Sequence, residues 1–308
     1  YTYYVPTKIK MKNKNRGFMR VLILCIFTIT MSFCEYSSYE PLTVTKYNEE
    51  KAMLGKKLFF DKRLSPNENY SCQTCHNLYW NLSGSNQGST EKGMLNPPSI
   101  LNAAANYLFY NDAKKTNLKD QVKESITSRI ELNSNNDKVV DTVNSISEYK
   151  ILFKEIYEDG ISLNNIIDAI VEFEKAVLSI DSPFDHFISG DDNAINDEAK
   201  KGFDIFNKIG CVACHNGRNL GGNLMQDLGH NKISALDANK RLRRAPSLRN
   251  IAKTAPYLSH GEMSDLKETL RYVSYYQLGH ELSKDEMDAL YAFLLTLNGK
   301  RPRILNEY

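Results

Sequence analysis

Two copies of Cys-x-x-Cys-His, at Cys72–His76 and at Cys211–His215, constrain this chain more than any other feature. Each copy puts two thiols and an imidazole on a single turn of backbone. That is the chemistry of covalent haem attachment: the thiols add to the two vinyl groups of the porphyrin, and the adjoining histidine ligates the iron. A redox dithiol needs no histidine after both pairs, and it sits in a βαβ setting. A structural zinc site brings its two cysteine pairs much closer than Cys75 and Cys211 stand here. Two covalently bound haem c groups are therefore expected. Cys72, Cys75, Cys211 and Cys214 would carry the thioethers, with His76 and His215 as iron ligands.

The surrounding sequence repeats with the motif. Gly55-Lys56-Lys57-Leu58-Phe59 precedes the first and Gly202-Phe203-Asp204-Ile205-Phe206 the second. Downstream, Ile167-Asp168-Ala169-Ile170 leads to Phe173, and Met287-Asp288-Ala289-Leu290 leads to Phe293. The apolar residues recur at helical period. Each unit thus reads as a leading helix, a haem-attachment turn and a closing helix whose apolar face covers a flat ligand. Strand signals are few. The expected fold is all-α, with two cytochrome-c-like domains, each around one haem. Ser182-Pro183 and the polar run from Ser189 to Asn196 mark a linker, which gives an N-terminal domain over 35–188 and a C-terminal domain over 189–308.

Residues 1–34 are set apart as upstream residues and a signal segment. Translation is expected to start at Met11 or Met19. Lys12, Lys14, Arg16 and Arg20 precede an apolar run from Val21 to Phe33, followed by polar residues. That is the layout of a secretory signal, and the run falls short of the roughly 20 residues a membrane-spanning helix needs. Export to the periplasm is expected, with Cys34 at the place of a lipoprotein cysteine, although Phe33 stands where a small residue is usual. Residues 1–34 hold six Lys or Arg and no acid, so their removal takes the formal charge from +2 to 2 − 6 = −4. An acidic mature protein is a poor nucleic-acid binder.

Gly55-x-x-Leu58-Phe59-Phe60-Asp61-x-Arg63-Leu64-Ser65, followed by Ser71-Cys72-Gln73-Thr74-Cys75-His76-Asn77-Leu78, resembles the bacterial di-haem cytochrome c peroxidases and their MauG-type sister group. Further matches are Leu101-Asn102-Ala103, Arg244-Ala245-Pro246-Ser247-Leu248-Arg249-Asn250-Ile251, Thr254-Ala255-Pro256-Tyr257 and Gln277-Leu278-Gly279. The resemblance implies that the N-terminal haem is peroxidatic and the C-terminal haem receives electrons. The substrate would be hydrogen peroxide, and the donor a small c-type cytochrome or copper protein. A homodimer is compatible with this reading. The family's pocket glutamine and glutamate match Gln121 and Glu131. Glu131 would move a proton between the peroxide oxygens and Gln121 would orient the peroxide. A calcium ion between the domains would take the Asn96 side chain and the backbone carbonyls of Thr254 and Pro256.

The departures fall around the irons. The family histidine that blocks the peroxidatic iron falls at Gly88, and no histidine lies between His76 and His186. That iron is therefore expected to be open to peroxide unless Met94 swings in. The family tryptophan between the haems falls at Asn111, beside Tyr110, while the single Trp is Trp80. Ser125 replaces a pocket proline, and Ser259, next to His260, replaces a histidine. The sixth ligand of the second haem falls on Val273, which cannot bind iron. An unligated or water-bound site is expected there, with Tyr272, Met263 and then His260 as the next candidates, and Met287 as core. These changes keep two alternatives open: a MauG-like oxidase acting on a partner protein, and an electron-transfer cytochrome without peroxidase activity.

Overall fold

The structure is a computed structural model that describes residues 38–79, 83, 84, 96–227 and 242–306. The signal segment, Cys34, Trp80, Gly88 and Met94 lie outside the described residues. The α-helices of the described residues are α1 (Glu49–Phe60), α2 (Cys72–Cys75), α3 (Leu118–Thr127), α4 (Asn136–Ser145), α5 (Ser147–Ile156), α6 (Leu163–Ala176), α7 (Pro183–Ile188), α8 (Asp197–Lys208), α9 (Leu266–Leu278) and α10 (Lys284–Leu295). Among the described residues, strand is confined to two short antiparallel pairs, β1 (His76–Asn77) with β2 (Ser83–Gly84) and β3 (Met225–Asp227) with β4 (Leu242–Arg244). The fold is all-α in character. No described helix is long and apolar enough to cross a membrane.

The repeat read from the sequence is a repeat of helix pairs. Asn48 caps α1 by accepting from the Lys51 amide, and Asn196 caps α8 by accepting from the Ala199 amide. Both helices carry acids in the first turn and a lysine in the last, which suits the helix dipole. α1 packs on α6, and α8 packs on α10. The crossings are so close that they require glycine. A Cβ on Gly55 would stand 1.8 Å from the Ala169 carbonyl oxygen, and one on Gly202 would stand 1.9 Å from that of Ala289. Ala169 and Ala289 are themselves fully buried.

The repeat extends to the loops. Asn102 and Asn250 both adopt left-handed backbone and each starts a 3-10 turn. The Asn102 amide donates to the Val177 carbonyl just past α6, and the Asn250 amide donates to the Leu297 carbonyl just past α10, each at 3.0 Å. Their side-chain oxygens accept from Ser179 N at 2.7 Å and Gly299 N at 3.1 Å. Ser179 Oγ also donates to Asn250 Oδ1 at 3.0 Å, so one buried chain of hydrogen bonds joins the two halves.

From Tyr39 onward the chain is one packed unit, and each of its ends crosses to the other half. Tyr39 packs edge-on against Phe184 and also against Phe203, and its hydroxyl donates to Asn207. Those rings join Phe187, Phe206 and Phe293 in an aromatic core that includes α7. At the other end, Ile304 and Leu305 enter the first half's core beside Leu58, Phe59 and Phe173, and Lys56 Nζ donates to the Ile304 carbonyl. Burying each such side chain contributes about 1.5–3 kcal/mol.

Candidate functional site: two haem-attachment turns and a polar cluster

The first attachment turn is a single turn of helix. The amide of Ser71, its N-cap, donates to Thr74 Oγ1 at 3.0 Å. The Gln73 side chain closes the far end by donating to Asn77 Oδ1 and accepting from Leu78 N, both at 3.1 Å. The second turn is a 3-10 helix over Cys211–Ala213 that opens at Gly210, whose φ of 98° suits glycine alone. Asn216 Nδ2 donates back to the Val212 carbonyl at 2.8 Å. None of the four described cysteines, Cys72, Cys75, Cys211 and Cys214, is taken up in a disulfide. Burial pushes the Cys72 and Cys211 thiols up to about 12, with the Glu174 and Glu131 carboxylates adding to the effect at Cys72.

Both histidines are set to bind iron through one nitrogen. His76 Nδ1 lies 3.0 Å from the Pro98 carbonyl, and His215 Nδ1 lies 3.2 Å from that of Leu220. A backbone acceptor at Nδ1 fixes the tautomer with the proton there and leaves Nε2 as a lone-pair donor, the arrangement of a ligating imidazole. Burial depresses the pKa of both rings and keeps them neutral, as a metal ligand requires. The donor sets therefore fit two haems. The loop after His215 is fixed from the other half: Asn219 Nδ2 donates to Asn106 Oδ1 at 2.6 Å and to the Asn102 carbonyl at 3.3 Å.

Gln121 and Glu131, far from being separate surface groups, meet around two residues that the sequence had marked only as departures. Gln121 Nε2 donates to Ser125 Oγ at 2.8 Å, one helical turn along α3. The Tyr110 hydroxyl lies 3.4 Å from Ser125 Oγ and 3.4 Å from Glu131 Oε1. Glu131 itself sits in the turn after α3, its amide donating to the Ser128 carbonyl. Its carboxylate raises the thiol pKa values of Cys72 and Cys75 and opposes the depression of the His76 imidazole, so it acts across the first attachment site. Burial raises the Tyr110 phenol well above its ordinary value. Tyr110 has φ of 64°, an uncommon conformation for a bulky residue, and its carbonyl accepts from Arg244 Nε of the second half at 3.0 Å. Arg244 is buried, and desolvation lowers its pKa.

The remaining expected residues are placed as follows. Asn96 Nδ2 donates to the Pro256 carbonyl at 2.7 Å and to that of Leu258 at 3.3 Å, while its buried Oδ1 has no hydrogen-bond partner among the described residues. Thr254 lies two residues before Pro256, its hydroxyl donating to the Ile251 carbonyl. Val273 and Tyr272 lie on α9, which is helical from Leu266 to Leu278, so neighbouring side chains diverge by about 100°. The Tyr272 ring packs on Tyr276 at 4.6 Å between centroids. The Met263 carbonyl accepts from the Tyr257 amide, and Met287 is buried core. Sequence reasoning missed Glu174, a buried acid on α6 whose pKa burial raises to about 8. Its signal was an acid on the apolar side of a core helix.

Two neutral, backbone-anchored imidazoles, each following a pair of thiols in a duplicated helical frame, define a two-haem c-type cytochrome. The family model described as di-haem cytochrome c peroxidase matches residues 49–193, and a cytochrome c model matches 199–298. The cytochrome c551 peroxidase of Pseudomonas aeruginosa is 35% identical over 83% of this chain and 81% of its own length. The methylamine utilization protein MauG of Methylorubrum extorquens is 31% identical over 82% of this chain and 79% of its own. A solved MauG-like protein associated with microbial copper homeostasis superposes with a TM-score of 0.70 at 25% identity, over 86% of this chain and 94% of that one. The chain belongs to the di-haem cytochrome c peroxidase family.

Proposed function

We propose that this protein reduces hydrogen peroxide to water in the pocket of Tyr110, Gln121, Ser125 and Glu131 beside the first attachment site. Electrons would come from a small c-type cytochrome or copper protein by way of the second haem. The observation that carries the reading is the convergence of the Glu131 carboxylate with Gln121, Ser125 and Tyr110 next to Cys72, Cys75 and His76. Cys72, Cys75 and His76 would hold one haem and Cys211, Cys214 and His215 the other, and the bound irons supply the redox chemistry. Glu131 takes a proton from one peroxide oxygen and returns it to the other, which leaves as water. Gln121, held by Ser125, keeps an amide dipole in the pocket to orient the peroxide.

Glu131→Gln tests the assignment. The variant should keep both haems while slowing peroxide cleavage by about 10²-fold or more in single-turnover kinetics. An unchanged rate would remove Glu131 from the mechanism. A second reading, a MauG-like oxidase acting on a partner protein, draws support from the MauG relative and from Asn111 in the place of the family tryptophan. Peroxide-dependent oxidation of a protein substrate, with no turnover of small cytochromes, would favour it.

Two further features belong to the same reading. A calcium ion is proposed at Asn96, with the Thr254 and Pro256 carbonyls and water completing its shell; the orphaned Asn96 Oδ1 supports it. Isothermal titration of chelator-treated protein should then show calcium uptake that Asn96→Ala abolishes. Export to the periplasm is proposed from residues 1–34, with a lipid anchor at Cys34. Mass spectrometry of the mature N-terminus distinguishes simple cleavage from lipidation.

A further inference from the structure

We propose that Tyr110 is a one-electron donor built into the peroxide pocket, oxidised to a neutral radical with Glu131 as its proton acceptor. The proposal rests on the peroxidase reading. Reduction of hydrogen peroxide to water consumes two electrons and two protons. In the fully oxidised protein, before any donor arrives, a haem held by Cys72, Cys75 and His76 would have to supply both electrons, and one of them can be replaced from nearby. Tyr110 is placed to give it. Once Glu131 has returned the peroxide's proton to the departing water, its carboxylate is free again. The O–H bond of Tyr110 then breaks, its proton going to Glu131 Oε1 at 3.4 Å and its electron to the oxidised first haem. What remains is a neutral phenoxyl radical, so charge and atoms balance.

Four observations favour this coupled step. Burial raises the phenol's pKa, so the tyrosine does not ionise first and its proton must leave together with the electron. The Lys114 ammonium lies 4.0 Å from the centre of the Tyr110 ring, and a cation on the ring face opposes electron loss that would leave the ring positive. A proton acceptor is therefore required, and Glu131 is within reach. Position 111, where the family carries tryptophan, is Asn111, which holds no readily oxidised group. Finally, the left-handed backbone at Tyr110 is retained by Arg244, which reaches from the second half both through Nε to the Tyr110 carbonyl and through its amide to the Asn111 carbonyl. Strain of this kind persists where surrounding structure over-determines it, and it collects at functional positions.

The test is rapid-freeze electron paramagnetic resonance of the oxidised holoprotein mixed with hydrogen peroxide in the absence of donor, with the Soret band followed in parallel. An organic radical is expected to form as the Soret band changes. It should sharpen when ring-deuterated tyrosine is incorporated, and in D2O it should show one exchangeable proton hydrogen-bonded to the radical oxygen. Tyr110→Phe should retain both haem spectra and lose at least about nine-tenths of the radical, whereas Tyr272→Phe should keep it. A radical of wild-type intensity in Tyr110→Phe would overturn the proposal. So would a wild-type Soret change with no tyrosine radical, an outcome that leaves the peroxidase reading standing. Absence of any Soret change would sink the peroxidase reading and this inference with it.

Discussion

Replacing Gly202 by alanine adds one methyl group where two helix backbones touch. Its Cβ would lie 1.9 Å from the Ala289 carbonyl oxygen, 2.5 Å from that carbonyl's carbon and 2.9 Å from Phe293 Cβ. Ordinary C···O contact begins near about 3.3 Å, so α8 and α10 must separate by about 1.4 Å. The obstacle is main chain and cannot rotate away. Overpacking of this sort costs about 3 kcal/mol or more, against a gain of about 1 kcal/mol from alanine's better helix propensity. The net loss should be about 2 kcal/mol or more, equivalent to about 4–8 °C in Tm for a chain of this size. Guanidinium denaturation of the holoprotein, followed by far-ultraviolet circular dichroism and at the Soret band, measures it. Because α8 leads directly into Cys211, the second haem's spectrum should change first. Gly55→Ala, aimed at the Ala169 carbonyl at 1.8 Å, should do the same to the first haem. A Gly202→Ala protein as stable as the parent would mean that the close crossing does not fix this helix pair.

Three other outcomes are expected. Burial lifts Glu174 from 4.5 to about 8, so the folded protein holds a proton that the unfolded chain releases over that range; stability should fall as pH rises through it, and Glu174→Gln should flatten the slope, whereas an unchanged slope would acquit Glu174. Arg249, its side chain fully buried, pairs with Asp185 at 2.7 Å, so Arg249→Met leaves a buried carboxylate uncompensated and should cost about 3–5 kcal/mol in equilibrium unfolding; a loss under about 1 kcal/mol would contradict the pairing. With no histidine between His76 and His186, the oxidised first haem should give a high-spin electron paramagnetic resonance signal in the resting protein, and a purely low-spin spectrum would refute an open site.

The helical repeat was legible because it is local. Gly55 and Phe59 recur as Gly202 and Phe206, and Ala169 and Phe173 recur as Ala289 and Phe293, each pair at one spacing within one helix. The attachment residues were legible for the same reason, since one turn holds all three. Nothing in the repeat plan marked α4 and α5, which have no counterpart among the described residues of the second half. The exchange of chain ends was hidden because Tyr39 and Ile304 find their cores far along the sequence. The pocket was half legible. Gln121 and Glu131 followed from the family resemblance, but the role of Tyr110 depends on a left-handed backbone and on Arg244 reaching across from the other half, neither of which a local pattern encodes.

Steady-state turnover tests the central claim most directly. Purified, haem-loaded protein in its oxidised form is mixed with hydrogen peroxide and a reduced small c-type cytochrome, and donor oxidation and peroxide loss are followed together. Catalytic turnover, with two donor molecules oxidised for each peroxide consumed and a rate that collapses in Glu131→Gln, is the predicted result. A protein that carries both haems and accepts electrons from the cytochrome, yet leaves the peroxide unconsumed, would contradict it.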